Sequence, residues 1–233
     1  MPDRGLLEAG EVRATSIAPA TPGPWPLPGA RWVQLTYEVN QAAALAHLPA
    51  DTSRPVPTYA RLFVLDAPSS PVGPVRIASL MAGARYRMFP RNVLVDAIVD
   101  GPVADVAAAF GAPFRAGSVS LRRDGARLEA LIGDQDGELA RLVLPALYAI
   151  DLGMLRWDAW LGFADQDGKV ALVEYGPRPG QSEAWLSKGA TLDLPAALAR
   201  THTWRAFRNL NTVSACYLEG SLEFTAPEVQ QTL

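Results

Sequence analysis

The sequence predicts a β-dominated α+β fold with a few short helices, and three kinds of pattern support this. Short apolar runs alternate with polar residues, as in residues 31–39, where Val33 and Leu35 share one face and Trp32 lies on the other. Turn-forming residues separate these runs, and Asp124-Gly125 is the strongest hairpin signal. Helix signals are few and short. Many short strands with regular turns favour a barrel-like sheet.

The N-terminal residues 1–30 are predicted to form an arm that precedes a domain spanning residues 31–233. They are rich in proline, glycine and alanine, and the run at 21–29 is incompatible with a regular helix or a central strand. We expect this arm to pack over the body or over a neighbouring subunit through Trp25. For the first dozen residues, simple disorder is an equal alternative.

Local signals place the elements of the domain. Asn40 is the predicted N-cap of a short helix that ends before Pro49, and residues 100–102 start a second helix that Gly111 ends. Gly83 is a candidate bulge in a long strand. Further strands are expected at 59–66, 75–88, 92–99, 157–163, 170–175, 183–194 and 212–224. Hairpin turns are expected at 134–137 and 165–168, a helical turn at 195–200 and an extended segment at 203–207.

Composition narrows the class of protein. Hydrophobic residues make up 49% of the chain and charged residues 19%, which is enough apolar material for a sizeable core. A net charge of −3 disfavours binding to nucleic acid or to an anionic membrane. The single Cys216 excludes an internal disulfide and fits a reducing cytoplasm. Since no apolar run is long enough to span a bilayer and the N-terminus lacks a signal-peptide pattern, we expect a cytoplasmic protein.

Several short motifs together resemble the acetoacetate decarboxylase family. They are Pro24, the strand at 31–37, Ser70-Pro-Val-Gly-Pro74, the bend after Pro113, and Glu183-Ala-Trp185. Each motif is weak alone, but together they span most of the chain. The resemblance implies a cone-shaped β-barrel with a few short helices and a tendency to self-associate.

The bend at Pro113 carries the main difference from that family. The family sequence there is Pro-Lys-Lys-x-Gly, and its first lysine forms a Schiff base with a keto acid. This chain has Phe114 and Arg115 between Pro113 and Gly117, and arginine stays protonated and cannot form the imine. A shift of one residue would place Arg115 at the nucleophile position with the same consequence. The family's acidic partner would fall near residues 76–77 and is absent. The fold is therefore expected, and the Schiff-base reaction is not.

Arg115 is the first candidate catalytic residue. If its side chain points into a cavity, Arg115 would bind a substrate carboxylate through two parallel hydrogen bonds. The alternative is that Arg115 forms a structural ion pair. Phe114 would line the same pocket or belong to the core. Arg76, Arg85 and Tyr86 are candidate substrate-binding residues in an arginine-rich stretch, where Arg85 and Arg87 share a strand face. The alternative for this stretch is a solvated face or a subunit interface.

Lys188 and Glu183 complete the candidate catalytic set. Lys188 is the one lysine in the family-like stretches, and it replaces the missing nucleophile only if burial or a cationic neighbour lowers its pKa. The two residues face opposite sides of a regular strand unless the chain bulges near Gly189. An exposed, structural Lys188 is the competing interpretation. His202 is a further acid–base candidate, with a structural histidine as the alternative.

Isolated acids in apolar contexts are also candidates for proton transfer, because burial raises the pKa of a carboxyl group. They are Asp96, Asp151, Asp158 and Glu174. Neither metal-ligand spacing nor a nucleotide-binding motif is present, so no metal or cofactor is expected.

Two functions remain open from the sequence. The first is a lyase-like or isomerase-like enzyme that acts on a small anionic or carbonyl metabolite without a Schiff base. The second is a non-catalytic descendant that binds a small acid or serves as a structural subunit. An acid–base group in the same cavity as Arg115 would favour the first function, and a closed apolar interior would favour the second. In either case we expect a homo-oligomer, with neither a nucleic-acid nor a membrane partner.

Overall fold

A computed structural model of the chain describes residues 3–8, 15–16, 24–110, 113–166, 169–199 and 202–232. The strands in the first half are β1 (Thr15–Ser16), β2 (Trp25–Glu38), β3 (Tyr59–Ala67), β4 (Val75–Tyr86), β5 (Phe89–Asp100), β6 (Arg115–Ala116), β7 (Ser118–Asp124) and β8 (Arg127–Asp134). Those in the second half are β9 (Gly137–Leu144), β10 (Leu147–Ile150), β11 (Trp160–Gln166), β12 (Lys169–Tyr175), β13 (Pro177–Ser187), β14 (Thr191–Asp193), β15 (Asn211–Phe224) and β16 (Glu228–Thr232). The α-helices are α1 (Gln41–Leu45), α2 (Val103–Phe110) and α3 (Thr203–Ala206).

A large mixed sheet dominates the described part of the chain. Its strand order is β10-β13-β15-β2-β3-β4-β5-β11-β12-β16, with β1 beside β11 and β6 beside β5. The predicted β-dominated α+β class is therefore confirmed. The sheet curls strongly, because Trp160 of β11 lies 5.2 Å from Phe224 of β15 although four strands separate them in the sheet. Phe63 of the central strand β3 contacts both rings, at 5.0 and 5.9 Å.

The two faces of this sheet carry separate cores. The concave face holds the aromatic cluster just described, together with Leu65 and Ile77. The opposite face is covered by a smaller sheet with the strand order β14-β9-β8-β7. Leu62 and Leu80 of the large sheet pack there against apolar side chains such as Leu121 of the small one. Strand alternation explains the division, since Leu62 and Phe63 are neighbours on β3 and point to opposite faces.

Several predicted elements are confirmed. Asn40 caps α1, because its side chain accepts a hydrogen bond of 2.9 Å from Ala42 N. Helix α2 starts directly after Pro102, as predicted; Gly111, its predicted end, lies outside the described residues. The hairpins at 124–127 and 134–137 join β7 to β8 and β8 to β9. Strands β11 and β12 pair on either side of the predicted 165–168 turn, whose residues 167–168 are likewise outside the described residues.

Other predictions are wrong, each for an identifiable reason. Trp25 begins β2 within the proline-rich run, which is compatible with a strand because residues 25–30 pair only with β15 and not with β3. Gly83 is not a bulge: the register shift lies between Leu80 and Met81, and a Cβ at Gly83 would lie 2.5 Å from the Tyr59 ring.

The segment after β14 also differs from the prediction. Residues 195–199 form turns rather than a helical turn, and the predicted extended segment contains α3 instead. The reason is a cap, since His202 Nδ1 accepts a hydrogen bond of 3.3 Å from Trp204 N. The β16 strand had no clear sequence signal.

Candidate functional site

The bend at Pro113 lies between α2 and β6 and presents two neighbouring side chains in opposite directions. Strand β6 pairs in parallel with β5, with Arg115 opposite Ile98. Gly117 N donates a hydrogen bond of 3.0 Å to Val99 O. A Cβ at Gly117 would lie 2.2 Å from the carbonyl oxygen of Gly133, so only glycine allows the bend to approach β8 this closely. Phe114 consequently points to the concave face of the sheet, and Arg115 points away from it.

Phe114 helps to enclose a small aromatic chamber on the concave face. Its ring centroid lies 5.8 Å from that of Phe110, which in turn lies 5.2 Å from Phe224 and 5.2 Å from Trp25. The remaining volume is about 10 Å³, lined by Phe63, Ile77, Ser79, Phe110, Phe114, Trp160 and Phe224. None of these seven lining residues titrates at physiological pH.

Two polar atoms of the chamber wall have no hydrogen-bond partner among the described residues. They are Ser79 Oγ and Trp160 Nε1, and both are buried. A buried donor without a partner is uncommon in folded proteins. Both atoms are therefore potential donors without an acceptor in the described part of the chain.

A charged group lies next to the chamber on the same face of β3. Arg61 precedes Phe63 by two residues and is 6% exposed. Its Nη2 lies 3.3 Å from Asp158 Oδ2, and its Nε donates to Thr36 Oγ1 at 3.3 Å. Its Nη1 is buried and has no partner among the described residues. Arg61 Nη1 is therefore a buried charged donor without an acceptor in the described part of the chain.

Asp158 balances the charge of Arg61. The side chain of Asp158 is 7% exposed, and its Oδ1 also accepts a hydrogen bond of 2.8 Å from the exposed Arg156. Cys216 lies nearby on β15, but burial raises the pKa of its thiol to about 12. Cys216 is therefore protonated at neutral pH and is not a nucleophile.

Arg115 lies on the other side of the bend, between two carboxylates. Its Nη2 and Nε donate to Asp96 at 2.6 and 3.0 Å, and its Nη1 donates to Asp134 at 3.0 Å. Trp204 Nε1 donates to the same Asp96 at 2.7 Å. The guanidinium thus takes part in a structural network, which is the alternative given above for this residue. Its ability to bind an external anion stays a prediction.

This network changes the acidity of both partners. Hydrogen bonding to Asp96 is the main cause that raises the pKa of Arg115, against an opposing effect of burial. Burial also raises the pKa of Asp134, but hydrogen bonds from Asp136 N and Arg115 outweigh it and hold that pKa below its usual range. Both groups are therefore charged across the physiological range.

The structure does not bring the candidate arginines of β4 together. Arg76 stands near the start of the strand, where it pairs with Asp66 and Asp100, whereas Arg85 is exposed near its end. Arg87 lies in the hairpin turn with a φ of 47°, so strand alternation does not align it with Arg85. The Tyr86 side chain packs in the core of the opposite face, and its hydroxyl lies 3.4 Å from Gln231 Oε1.

Lys188 and Glu183 are both exposed and lie away from the aromatic chamber. Glu183 faces Glu219 across the β13–β15 pair, and Lys188 follows the last residue of β13. The predicted irregularity at Gly189 is a turn with a φ of +75°, which separates β13 from β14. Lys169, the other lysine of the sequence, is exposed as well. Neither lysine amine therefore reaches the position of the expected nucleophile.

The remaining polar candidates have structural partners. Asp151 accepts a hydrogen bond of 2.7 Å from Gly153 N, and Glu174 receives two from Arg91 at 2.7 and 3.2 Å. His47 stacks edge-on against Phe207, and His202 caps α3. Asp158 is the candidate acid that lies beside the concave core.

Arg61 was missed by the sequence analysis. A signal for it exists, because an arginine within the apolar run of residues 59–65 cannot follow the alternation of a half-exposed strand. Ser79 carries no such signal, since single serines are common in strands.

Comparisons with known proteins identify the fold. No protein-family model matches the chain. No curated protein matches it either. Solved structures do match. Acetoacetate decarboxylase from Legionella pneumophila superposes with a TM-score of 0.76 at 16% identity, covering 91% of this chain and 88% of that one. An acetoacetate decarboxylase-like enzyme from Sphingomonas wittichii gives a TM-score of 0.72 at 16% identity, covering 91% and 93%.

A biosynthetic enzyme has the same architecture. The enduracididine biosynthesis enzyme MppR, in complex with pyruvate, gives a TM-score of 0.73 at 14% identity and covers 92% of this chain and 93% of that one. The chain therefore has the fold of acetoacetate decarboxylase and its structural relatives, as the resemblance implied. Among the described residues, no helix is long and apolar enough to cross a membrane.

The Arg115 network makes a testable contribution to stability. We expect Arg115→Gln to lower the free energy of unfolding by about 1–3 kcal/mol, because two poorly exposed carboxylates lose their cation while solvent partly screens the half-exposed guanidinium. Urea unfolding measures this difference. The control is Arg127→Gln, which removes an exposed arginine at the start of β8.

The pH dependence of this loss follows from Asp134. Its pKa is lower in the folded state than in the unfolded state, so its stabilising effect is complete above the unfolded pKa and is lost as the pH falls through the folded pKa. The difference in the free energy of unfolding between wild type and Arg115→Gln should therefore become smaller below about pH 4. A difference that stays constant down to strongly acidic pH would contradict this role.

Proposed function

We propose that this protein binds and acts on a small carbonyl or carboxylate compound in its concave interior without forming a Schiff base. The observation that carries the proposal is the position of Phe114. The sequence motif predicts the nucleophile at this position, but Phe114 is packed there against Phe110, and both lysines are exposed. An imine needs a primary amine at the carbonyl carbon, so the ligand must be held by non-covalent contacts.

Arg61, Ser79 and Trp160 are the residues that we assign to ligand binding. Arg61 would hold the carboxylate through Nη1, and the Ser79 hydroxyl and Trp160 Nε1 would donate to a carbonyl oxygen. Ser79 lies opposite Phe63 in the β3–β4 register, which makes it a diagonal neighbour of Arg61. The backbones of diagonal neighbours are about 7–8 Å apart, so both side chains can contact one small ligand between them.

Phe114 is the lining residue that we expect to admit the ligand. The free volume of about 10 Å³ does not hold even a small keto acid, so one wall must move. Phe114 is 9% exposed, the largest value among the lining side chains, and it stands on the bend rather than in the sheet. Rotation of its ring would connect the chamber to solvent.

The known neighbours agree with a ligand of this class. One structure of MppR contains pyruvate, and another contains the condensation product of pyruvate and imidazole 4-carboxaldehyde. These are small compounds with a carboxylate and a carbonyl-derived carbon. We carry over the ligand class only, because the identity of 13–14% leaves the residues of the site free to differ.

Two versions of the function differ in whether a proton is transferred. A lyase-like or isomerase-like reaction needs a base, and the position of Asp158 beside Arg61 favours this version. The alternative is a non-catalytic protein that binds a small acid, which is favoured by the absence of titratable groups among the lining residues. Deuterium exchange at C3 of pyruvate separates them, because only the first version accelerates it in an Asp158-dependent manner.

Arg115, Arg76, Arg85, Tyr86, Lys188 and Glu183 receive no ligand contact in this proposal. Arg115 and Arg76 are engaged by carboxylates of the chain, and Lys188 and Glu183 are exposed. We further propose a cytoplasmic homo-oligomer in which Trp25, predicted to lie in an N-terminal arm, is part of the body as the first residue of β2. Contact of that ring with Phe110 at 5.2 Å supports the last point.

The missing imine can be tested by borohydride trapping. Incubation of the wild-type protein with pyruvate or acetoacetate and borohydride should leave both lysine side chains unmodified. Phe114→Lys should become trappable, because the apolar chamber lowers the pKa of an introduced amine from about 10.4 toward neutrality. Peptide mass mapping reads the site of modification, and Phe114→Met is the control for the lost ring. Modification of Lys169 or Lys188 in the wild type would overturn the proposal.

The carboxylate anchor can be tested by calorimetry with pyruvate. Arg61→Met should weaken binding roughly 10- to 100-fold, the value of a charge-assisted hydrogen bond, because it removes the guanidinium but keeps an unbranched side chain. Arg61→Lys should give an intermediate loss, since it keeps the charge without the planar fork. Arg127→Met is the control for a lost surface charge. Wild-type protein that binds no pyruvate, or equal affinities in all variants, would contradict the assignment.

A further inference from the structure

A surface groove separate from the aromatic chamber has the features of a second ligand site. Its volume is about 370 Å³, within the range of roughly 300–1,000 Å³ that is typical of small-molecule pockets. It is formed where β12 ends, β13 begins and β15 passes into β16. The residues that line it, here termed the 176–179 groove, are Trp157, Ala159, Glu174, Tyr175, Gly176, Pro177, Arg178, Pro179, Thr225 and Glu228.

The walls of the 176–179 groove are held in place by backbone contacts. Gly176 N donates to Thr225 Oγ1 at 3.0 Å, and Thr225 N donates to Gly176 O at 3.1 Å. A Cβ at Gly176 would lie 3.2 Å from the Cα of Ala159, which makes the glycine tightly packed. Pro177 and Pro179 fix two φ angles in the strand that directly follows Gly176. The groove is therefore a preformed concavity, and binding would require little ordering of the chain.

Its charges are arranged as one satisfied pair and two separate ions. Glu174 receives two hydrogen bonds from Arg91, so its carboxylate is already neutralised. Arg178 and Glu228 are exposed, and neither belongs to an ion pair among the described residues. They line the same groove without forming a salt bridge to each other. With Glu174 neutralised by Arg91 from outside the groove, the lining leaves one cation, Arg178, and one anion, Glu228.

This arrangement selects a ligand by its charge distribution. A simple anion would be attracted by Arg178 and repelled by Glu228. A simple cation would be attracted by Glu228 and repelled by Arg178. A zwitterion satisfies both groups at once. Trp157 is half-buried in the wall and offers an apolar ring for the rest of the ligand. We propose that the 176–179 groove binds a free α-amino acid, with its carboxylate on Arg178 and its ammonium group on Glu228.

The proposal can be tested with one zwitterionic amino acid and two derivatives, each of which lacks one of its two charges. They are L-phenylalanine, N-acetyl-L-phenylalanine, which lacks the ammonium group, and L-phenylalaninamide, which lacks the carboxylate. Binding to the full chain is measured by saturation-transfer NMR and calorimetry. We expect each derivative to bind roughly threefold to tenfold more weakly than L-phenylalanine, as is typical of one exposed charge contact.

Two variants assign each charge to its residue. Arg178→Gln should abolish the preference for L-phenylalanine over its amide, and Glu228→Gln should abolish the preference over the N-acetyl derivative. Arg127→Gln and Glu138→Gln, exposed charges on other strands, should change neither preference. Absence of saturable L-phenylalanine binding, equal affinity for the three probes, or preferences that survive either groove variant would overturn the proposal.

Discussion

The packing of the Phe114 ring among Phe110 and the neighbouring aromatic side chains determines what the interior can do. Burying a phenylalanine in such a cluster stabilises a fold by about 3–5 kcal/mol relative to alanine, and it excludes water from the space around it. In the family that the sequence resembles, the expected nucleophile at this bend is a lysine. Here Phe114 contributes an aromatic ring to the packing, and this difference is the basis of the proposed function.

Charge is placed around this apolar chamber rather than within its lining. Arg115 is turned away by strand alternation and is engaged by Asp96 and Asp134, which fix the bend against β5 and the β8–β9 turn. Arg61 is the cation that remains on the concave side, and Asp158 offsets the cost of burying it. A buried arginine with one nitrogen left unpaired is a costly arrangement in an unliganded core. That cost is the physical reason to connect it with a ligand.

Local signals in the sequence predicted what depends on neighbouring residues. The Asn40 cap and the hairpin at Asp124-Gly125 are examples, because capping and tight turns are decided within a few residues. The curvature that brings Trp160 to Phe224 was not predictable, since it depends on contacts between strands far apart in the chain. For the same reason the sequence could pose two alternatives for Arg115 without choosing between them. For Arg61 a signal was present in the apolar run around it, but its partner Asp158 is 97 residues away in the sequence and could not be predicted from that run.

The central claim is that a keto acid is held in this interior by hydrogen bonds and not by an imine. A crystal structure of the protein grown with pyruvate tests it most directly. We predict a pyruvate carboxylate within hydrogen-bond distance of Arg61 Nη1, its carbonyl oxygen near Ser79 Oγ or Trp160 Nε1, and a rotated Phe114 ring. Continuous electron density between pyruvate and a lysine Nζ would contradict the account, as would a ligand bound to Arg115 in place of Asp96 and Asp134.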